Sequence, residues 1–458
     1  MNKTWIEKVA NVRPTSRQIA LNCMEFYGFV HFGLYTFSNE KEFQTDPQIF
    51  NPIHFDAKQW VKAYKEAGMK GLILTCKHHE GFCLWPSKYT DFSVKSSPWK
   101  DGKGDVVKEV SEACIEEGLK FGVYLSPWDV HEKTYGTSAY NDYFCNQLIE
   151  LCENYGELFC VWFDGACRSS EKIQMYDWER YYELIRKMQP NACISICGPD
   201  VRWIGNEAGI SREEEWSVVP KNIMITERDP GYWRSLDRVP NSTWKDIGSR
   251  SFIKDYDELI WYPAEVDVSI RPSWGYVPGE EKKLHSLKEL LFMYEKAVGG
   301  NATLLLNVPP NREGIFDQED VERLRELGKA IQEMFAYPQT DGAKAIGMDG
   351  TDAGTILKSE RSSFYEIQEN TSVEIHLNGM HKINFIALKE TIEKGQHIEK
   401  FAIDVWQENK WIEVYTATTI GYQRLGRFSE VKTQRIRIRI LKSRGPAYLT
   451  EVGLYHMQ

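Results

Sequence analysis

The residue best placed for chemistry in this chain is Asp164. It closes the hydrophobic run Leu158-Phe-Cys-Val-Trp-Phe and is followed by Gly165. A strand of that composition delivers the carboxylate to its C-terminal end, and the glycine leaves room for a ligand to approach. Such a carboxylate can act as a nucleophile, a metal ligand or a structural cap, and its position favours a functional role. Cleaving a glycosidic bond with retention needs a second carboxyl group about 5–5.5 Å away that alternates between acid and base. The first carboxylate must stay ionised, and the second must hold its proton until the leaving oxygen takes it. Three candidates stand downstream: Glu207 in Gly205-Asn206-Glu207, the run Glu213-Glu214-Glu215, and Glu265 in WYPAEVD. The triple glutamate reads as a solvated helix start. Glu207 follows a strand end within a Gly/Asn/Trp loop and is preferred, with Glu265 as runner-up.

A second group of chemistry-bearing residues lies in Leu72–Val94, LILTCKHHEGFCLWPSKYTDFSV. An apolar strand runs into His78, His79, Glu80 and Gly81, and then into Phe82, Trp85, Tyr89 and Phe92. Imidazoles beside aromatic faces suit a neutral polar ligand. A metal is disfavoured: neighbours on a regular strand point to opposite faces, and there is no HxH or HExxH motif. One pocket histidine and one core histidine is as good a reading as two ligand contacts. Other strand ends add His31, Tyr124, Trp128, the loop Gly198–Trp203 with Arg202, and Trp274 after VSIRPS.

The elements that position these residues alternate. Apolar strands are expected at 29–35, 71–77, 121–126, 158–163, 192–197 and 302–308, with weaker ones at 216–219, 223–226 and 266–270. Helical periodicity fills 57–67, 106–117, 139–155, 178–188, 284–298 and 317–334. The junctions KEAGMKGLILT and IEEGLKFGVYLS share one pattern: a helix end, a glycine suited to the left-handed C′ position, one apolar residue, Lys, and a strand. This rhythm predicts an α/β fold, a TIM-like (β/α)-barrel over residues 1–338 with its site at the strand C-termini. A doubly wound sheet is the alternative, but no strand is followed by a Gly-rich phosphate loop. After a Gly/Asp/Thr-rich stretch at 341–354 the period changes to two. Segments 373–377, 384–388, 401–407, 411–417, 435–441 and 447–455 predict an all-β sandwich domain over residues 345–458.

Composition narrows the partners. The 458 residues carry a net charge of −10 and no Lys/Arg cluster, which disfavours nucleic acid. The RIRIRI run reads as a strand with a solvated basic face. No apolar stretch approaches the ~18 residues of a membrane span. The N-terminal segment lacks the apolar core of a signal peptide. That predicts a cytoplasmic protein, or a periplasmic or secreted one whose signal has been removed. The ten cysteines lie between Cys23 and Cys197 without a CxxC pair and read as buried thiols rather than a disulfide framework. With 15 Trp and 23 Tyr the chain is rich in rings that pack on sugar C–H groups, although a large core needs them too.

Four segments together, VHFGLYTF, KHHEGFCLWPSKYTDFSV, GVYLSPW and VWFDG, resemble the retaining α-L-fucosidases of glycoside hydrolase family twenty-nine. The resemblance covers essentially the whole chain and implies a (β/α)-barrel followed by a β-sandwich. It implies Asp164 as the nucleophile, with His31, His78, His79 and Tyr124 holding the fucose hydroxyls. Arg202 and Trp274 would complete the same pocket. The wording FDGAC with GPDVRWIGNE looks like the branch that cleaves α-1,3 and α-1,4 links in Lewis-type glycans, in which the acid/base matches Glu207. A broad-specificity fucosidase and a silent fucose-binding protein are the alternatives. The expected partner is a fucosylated oligosaccharide or glycoconjugate; no cofactor and no metal are required. The C-terminal domain has galactose-binding-like features and reads either as a sugar-binding module or as a packing domain. The loop Asn39–Phe43 is a candidate contact for the rest of the glycan.

Overall fold

The structure, a computed structural model, describes residues 3–38, 43–165, 172–228, 239–358 and 360–457. Eight parallel strands form one sheet: Phe26–Val30, Gly71–Lys77, Lys120–Leu125, Leu158–Phe163, Cys193–Ile196, Arg202–Trp203, Ala264–Ser269 and Ala302–Asn307. The first strand pairs with both the second and the last (Gly28 with Leu72, Phe26 with Leu304). A single parallel bridge, Ser195 to Val201, spans the fifth and sixth strands and nearly closes the barrel. The (β/α)-barrel expectation holds, and each strand feeds its C-terminal end to one rim.

Side-chain alternation sets what faces inward. Tyr27, Phe29, Ile73, Tyr124, Cys160, Trp162 and Leu305 pack together inside the barrel. The interleaved Val30, Leu72, Leu74, Val123, Leu125, Val161 and Phe163 pack outward against the helices. Each fully buried apolar side chain contributes roughly 1.5–3 kcal/mol. Alternation also aims the site, because His31 lies two residues beyond inward Phe29 and Asp164 two beyond inward Trp162. The helices Ala57–Glu66 and Val106–Glu117 start at Asp56 and Asp105, whose carboxylates accept from Gln59 N and Lys108 N. Gly68 and Gly118 take the expected left-handed conformation, at φ 81° and 77°.

Four local expectations change. The first strand is Phe26–Val30, and Leu34–Phe37 is a 3-10 turn. Segment 223–226 lies in the helix Lys221–Glu227; a short apolar run of this kind cannot be told from a strand by periodicity alone. The strands Arg202–Trp203 and Leu259–Trp261 are too short to show a period. The triple glutamate is only partly solvated: Glu213 is exposed and Glu214 half-buried, but Glu215 is fully buried against Arg202 and Arg212.

The C-terminal part is a seven-stranded antiparallel sheet. Two long strands, Ser372–Glu390 and Arg424–Ser443, shift register between His376 and His381 and again between Ile383 and Phe385. Bulges of this kind bend a strand. Both halves of these strands therefore enclose one core, with Val373, Ile375, Ile386, Leu388, Ile436 and Ile438 in contact. The outward arginines of RIRIRI do not simply meet solvent. Arg437 and Arg439 bind Asp404, and Arg435 lies over Trp406 and Trp411.

Several contacts tie this part to the barrel. Phe385, Ala387, Leu425 and Tyr455 join the barrel's helix-side core. Glu399 binds both Arg250 and Arg444. Gln396 Nε2 donates to the Glu215 carbonyl at 2.9 Å. Among the described residues none of nine cysteines forms a disulfide and eight of them are buried, and no helix is long and apolar enough to cross a membrane.

Candidate active site

At the C-terminal rim Tyr124 Oη donates to Asp164 Oδ2 at 2.9 Å. The Tyr124 ring lies between Trp162 (5.3 Å, 23°) and His78 (5.6 Å, 9°). Burial first, and the Asp164 charge second, push the Tyr124 phenol well above its usual range. Tyr124 therefore remains a donor to the carboxylate. His79 Nε2 stands 3.6 Å from the same Asp164 oxygen, and its Nδ1 meets Ser126 Oγ at 2.7 Å. The Ser126 hydroxyl donates to the Trp128 carbonyl at 2.6 Å, so it accepts from His79 Nδ1.

The two adjacent histidines converge, contrary to the strand-alternation argument. Register shifts between Thr75 and Lys77, the strand ends at Lys77, and the imidazoles lie 4.2 Å apart. A bulge beside a site re-aims the next side chains in this way. Lys77 itself turns outward into a fully buried ion pair with Asp129 at 2.8 Å. His78, His79 and Asp164 offer ligand atoms within 4.8 Å of one another, so proximity alone would allow a cation there.

His31 Nδ1 lies 2.8 Å from Asn307 Oδ1. Burial above all, with His78 beside it, lowers His31 to about 3, so the ring is neutral. Asn307 Nδ2 also donates to the Trp274 carbonyl at 2.8 Å, and the Trp274 ring sits 5.2 Å from His31. Trp274 Nε1 then donates to Glu207 Oε2 at 3.1 Å. Asp164, His79, His78, His31, Trp274 and Glu207 thus form one chain of neighbours, with a carboxylate at each end. Glu207 is exposed.

The structure does not bring Arg202 into this group. The barrel strand carrying it has two residues, and neighbours on a strand face opposite ways. Trp203 takes the inward place, packed against the barrel's inner cluster, and its Nε1 donates to Asp267 Oδ1 at 2.7 Å. Arg202 turns outward, fully buried against Glu215 and the carbonyls of Tyr262 and Trp216. Glu265 is also fully buried, beneath the rim, accepting from Trp162 Nε1 at 2.6 Å and from Tyr27 Oη. It supports the Trp162–Tyr124 stack from below. Asp267 is pushed well above the usual carboxylate range, by burial first, with Glu207 and Glu265 adding to it.

Residues 39–42 of the candidate glycan-contacting loop lie outside the described residues, and Phe43 packs edge-on against Trp128 at 5.6 Å. Asn307, Ser126 and Asp267 were missed from sequence, and Trp203 was named only as the end of the loop Gly198–Trp203. The first two end or follow barrel strands and were findable by the strand-end rule; the others needed the inward register. A concavity of about 510 Å³ opens at the opposite end of the barrel, beside Met24 and Phe121. None of the clustered residues lines it, and the chemistry belongs to the C-terminal rim.

The chain is similar to known proteins over essentially its whole length. The α-L-fucosidase family model matches residues 16–334. Alpha-L-fucosidase 1 of Arabidopsis thaliana is 35% identical over 96% of this chain and 87% of its own length. A putative α-L-fucosidase of Bacteroides ovatus superposes with a TM-score of 0.91 at 42% identity, covering 100% of this chain and 76% of that one. A Ruminococcus gnavus family 29 fucosidase solved with fucose gives 0.85 at 29% identity, over 98% and 95%. The chain is a glycoside hydrolase and belongs to the α-L-fucosidase family, glycoside hydrolase family 29.

Proposed function

We propose that this enzyme releases L-fucose from non-reducing ends by double displacement, with Asp164 as nucleophile and Glu207 as acid/base. The observation that carries the reading is Asp164 at a barrel-strand end, held by the Tyr124 hydroxyl among three imidazoles. The Tyr124 hydroxyl orients the carboxylate by its hydrogen bond. Asp164 attacks the anomeric carbon while Glu207 gives its proton to the departing glycosidic oxygen. A fucosyl–Asp164 ester forms. Glu207 then takes a proton from water, the water oxygen attacks the anomeric carbon, and the ester breaks to free fucose with retained configuration. Neutral imidazoles can donate and accept toward sugar hydroxyls, and Trp274 offers an apolar face to the C5 methyl group.

The preferred substrates are α-1,3- and α-1,4-linked Lewis-type glycans. FDGAC and GPDVRWIGNE support this narrower reading over broad specificity. The test compares an aryl fucoside, α-1,2-fucosyllactose and Lewis trisaccharides. Lewis substrates should turn over best, and equal turnover of all three would defeat the linkage assignment. Asp164→Asn should stay folded and lose turnover by roughly 10³- to 10⁶-fold. Azide should partly restore Glu207→Ala by forming fucosyl azide; an intact Glu207→Ala would move the acid/base elsewhere. Because His78, His79 and Asp164 are close enough for a cation, a metal-dependent hydrolase is the second reading. Activity that survives exhaustive chelation would eliminate it.

A further inference from the structure

Glu80 sits in the KHHEGF segment, yet the proposed reaction gives it no role. Its side chain is 2% exposed, and among the described residues neither carboxylate oxygen has a hydrogen-bond partner. A buried carboxylate without partners is costly. Glu80 Oε2 stands 3.5 Å from His78 Nδ1, and that nitrogen is also buried without a hydrogen bond. The carboxylate is pressed against the main chain at Gly33, where a Cβ would come within 2.9 Å of Glu80 Oε1. The Tyr35 ring, edge-on to His78 at 5.2 Å, closes another side.

The other two imidazoles show what Glu80 is for. His31 is held at Nδ1 by Asn307 Oδ1, and His79 at Nδ1 by Ser126 Oγ. An acceptor at Nδ1 keeps the proton there and makes Nε2 the nitrogen offered to a ligand. Of these three rings, only His78 is backed by a charged acceptor, standing just beyond hydrogen-bond reach. Contacts of this kind tighten when a ligand engages the other ring nitrogen.

The geometry points to Glu80 as a positioning residue that acts through His78: its carboxylate accepts from His78 Nδ1, fixing the ring and its tautomer so that Nε2 meets a fucose hydroxyl. This rests on the reading of His78 as a fucose-holding residue. Glu80 does not touch the sugar, and its buried charge is held at a cost in stability, as happens at functional sites.

The experiment is a double-mutant cycle with Glu80→Gln and His78→Gln. Its readouts are competitive inhibition by L-fucose, kcat/KM on a Lewis trisaccharide, and melting temperature. Glu80→Gln should weaken fucose binding about 5- to 20-fold, the scale of one hydrogen bond to a charged group. It should also raise the melting temperature by roughly 1–3 °C, because a buried charge is removed. In the double variant fucose binding should be no weaker than in His78→Gln alone, since both act along one path. A Glu80→Gln variant that binds fucose normally beside a weakened His78→Gln overturns this proposal alone. So do additive effects, or a Glu80→Gln variant that melts lower with fucose binding intact. A His78→Gln variant that binds fucose normally overturns the fucose-holding role of His78, and this proposal with it.

Discussion

Glu265 gives the sharpest test of how the rim is supported. Its carboxyl is fully buried and accepts from Trp162 Nε1 and Tyr27 Oη. Burial dominates these two hydrogen bonds and raises it from 4.5 to about 7. In the unfolded chain the group loses its proton near 4.5; in the folded protein it keeps it until about 7. Between those values the folded state binds the extra proton, so stability falls as pH rises. The contribution is fully present below 4.5 and is lost as pH passes 7, a total of about 3 kcal/mol. Glu265→Gln imitates the protonated form: its carbonyl still accepts from Trp162, and its amide can donate to Tyr27 Oη. The variant should exceed the parent by about 1 kcal/mol in denaturant unfolding at pH 5 and by about 3 kcal/mol at pH 8. Glu390 and Asp320, raised to about 7 and about 6 by burial, titrate in both proteins and cancel in the difference. Turnover should survive, because Glu265 lies beneath Trp162 rather than at the sugar. A difference that stays flat with pH would refute the linkage argument. Lost turnover in a stable variant, rescued by azide, would restore Glu265 as acid/base.

Two further outcomes follow from the same geometry. Tyr124→Phe removes one hydrogen bond to a charged carboxylate, about 1.5–3 kcal/mol, and should lower kcat by about 10- to 100-fold with the fold intact; unchanged kcat would detach Tyr124 from Asp164. Arg202→Met should cost about 3–5 kcal/mol of stability by leaving the buried Glu215 with only part of its cation shell, while the folded fraction keeps its kcat/KM. A stable Arg202→Met with collapsed kcat/KM would return Arg202 to the pocket.

Much of this protein is written locally. The strand Leu158–Phe163 and the helices Val106–Glu117 and Trp178–Met188 end where their sequences say they should. Their apolar periods, aspartate N-caps and left-handed glycines act within a few residues. Asp164 and the His78–His79 pair were legible for the same reason, since each follows directly on an apolar strand. Directions were not legible. A two-residue strand carries no period, so sequence could not choose between Arg202 and Trp203, and the barrel turned Trp203 inward. The convergence of the two histidines depends on a register shift against the neighbouring strand, which no local pattern encodes. Glu207 gains its partner from Trp274, and Glu265 loses water to Trp162 and Tyr27, only when distant strands come together. Sequence alone determined which residues stand at strand ends, because that is set by short-range periodicity. Tertiary structure decided which of them share a site and which carboxyls meet water, because barrel closure and burial are long-range.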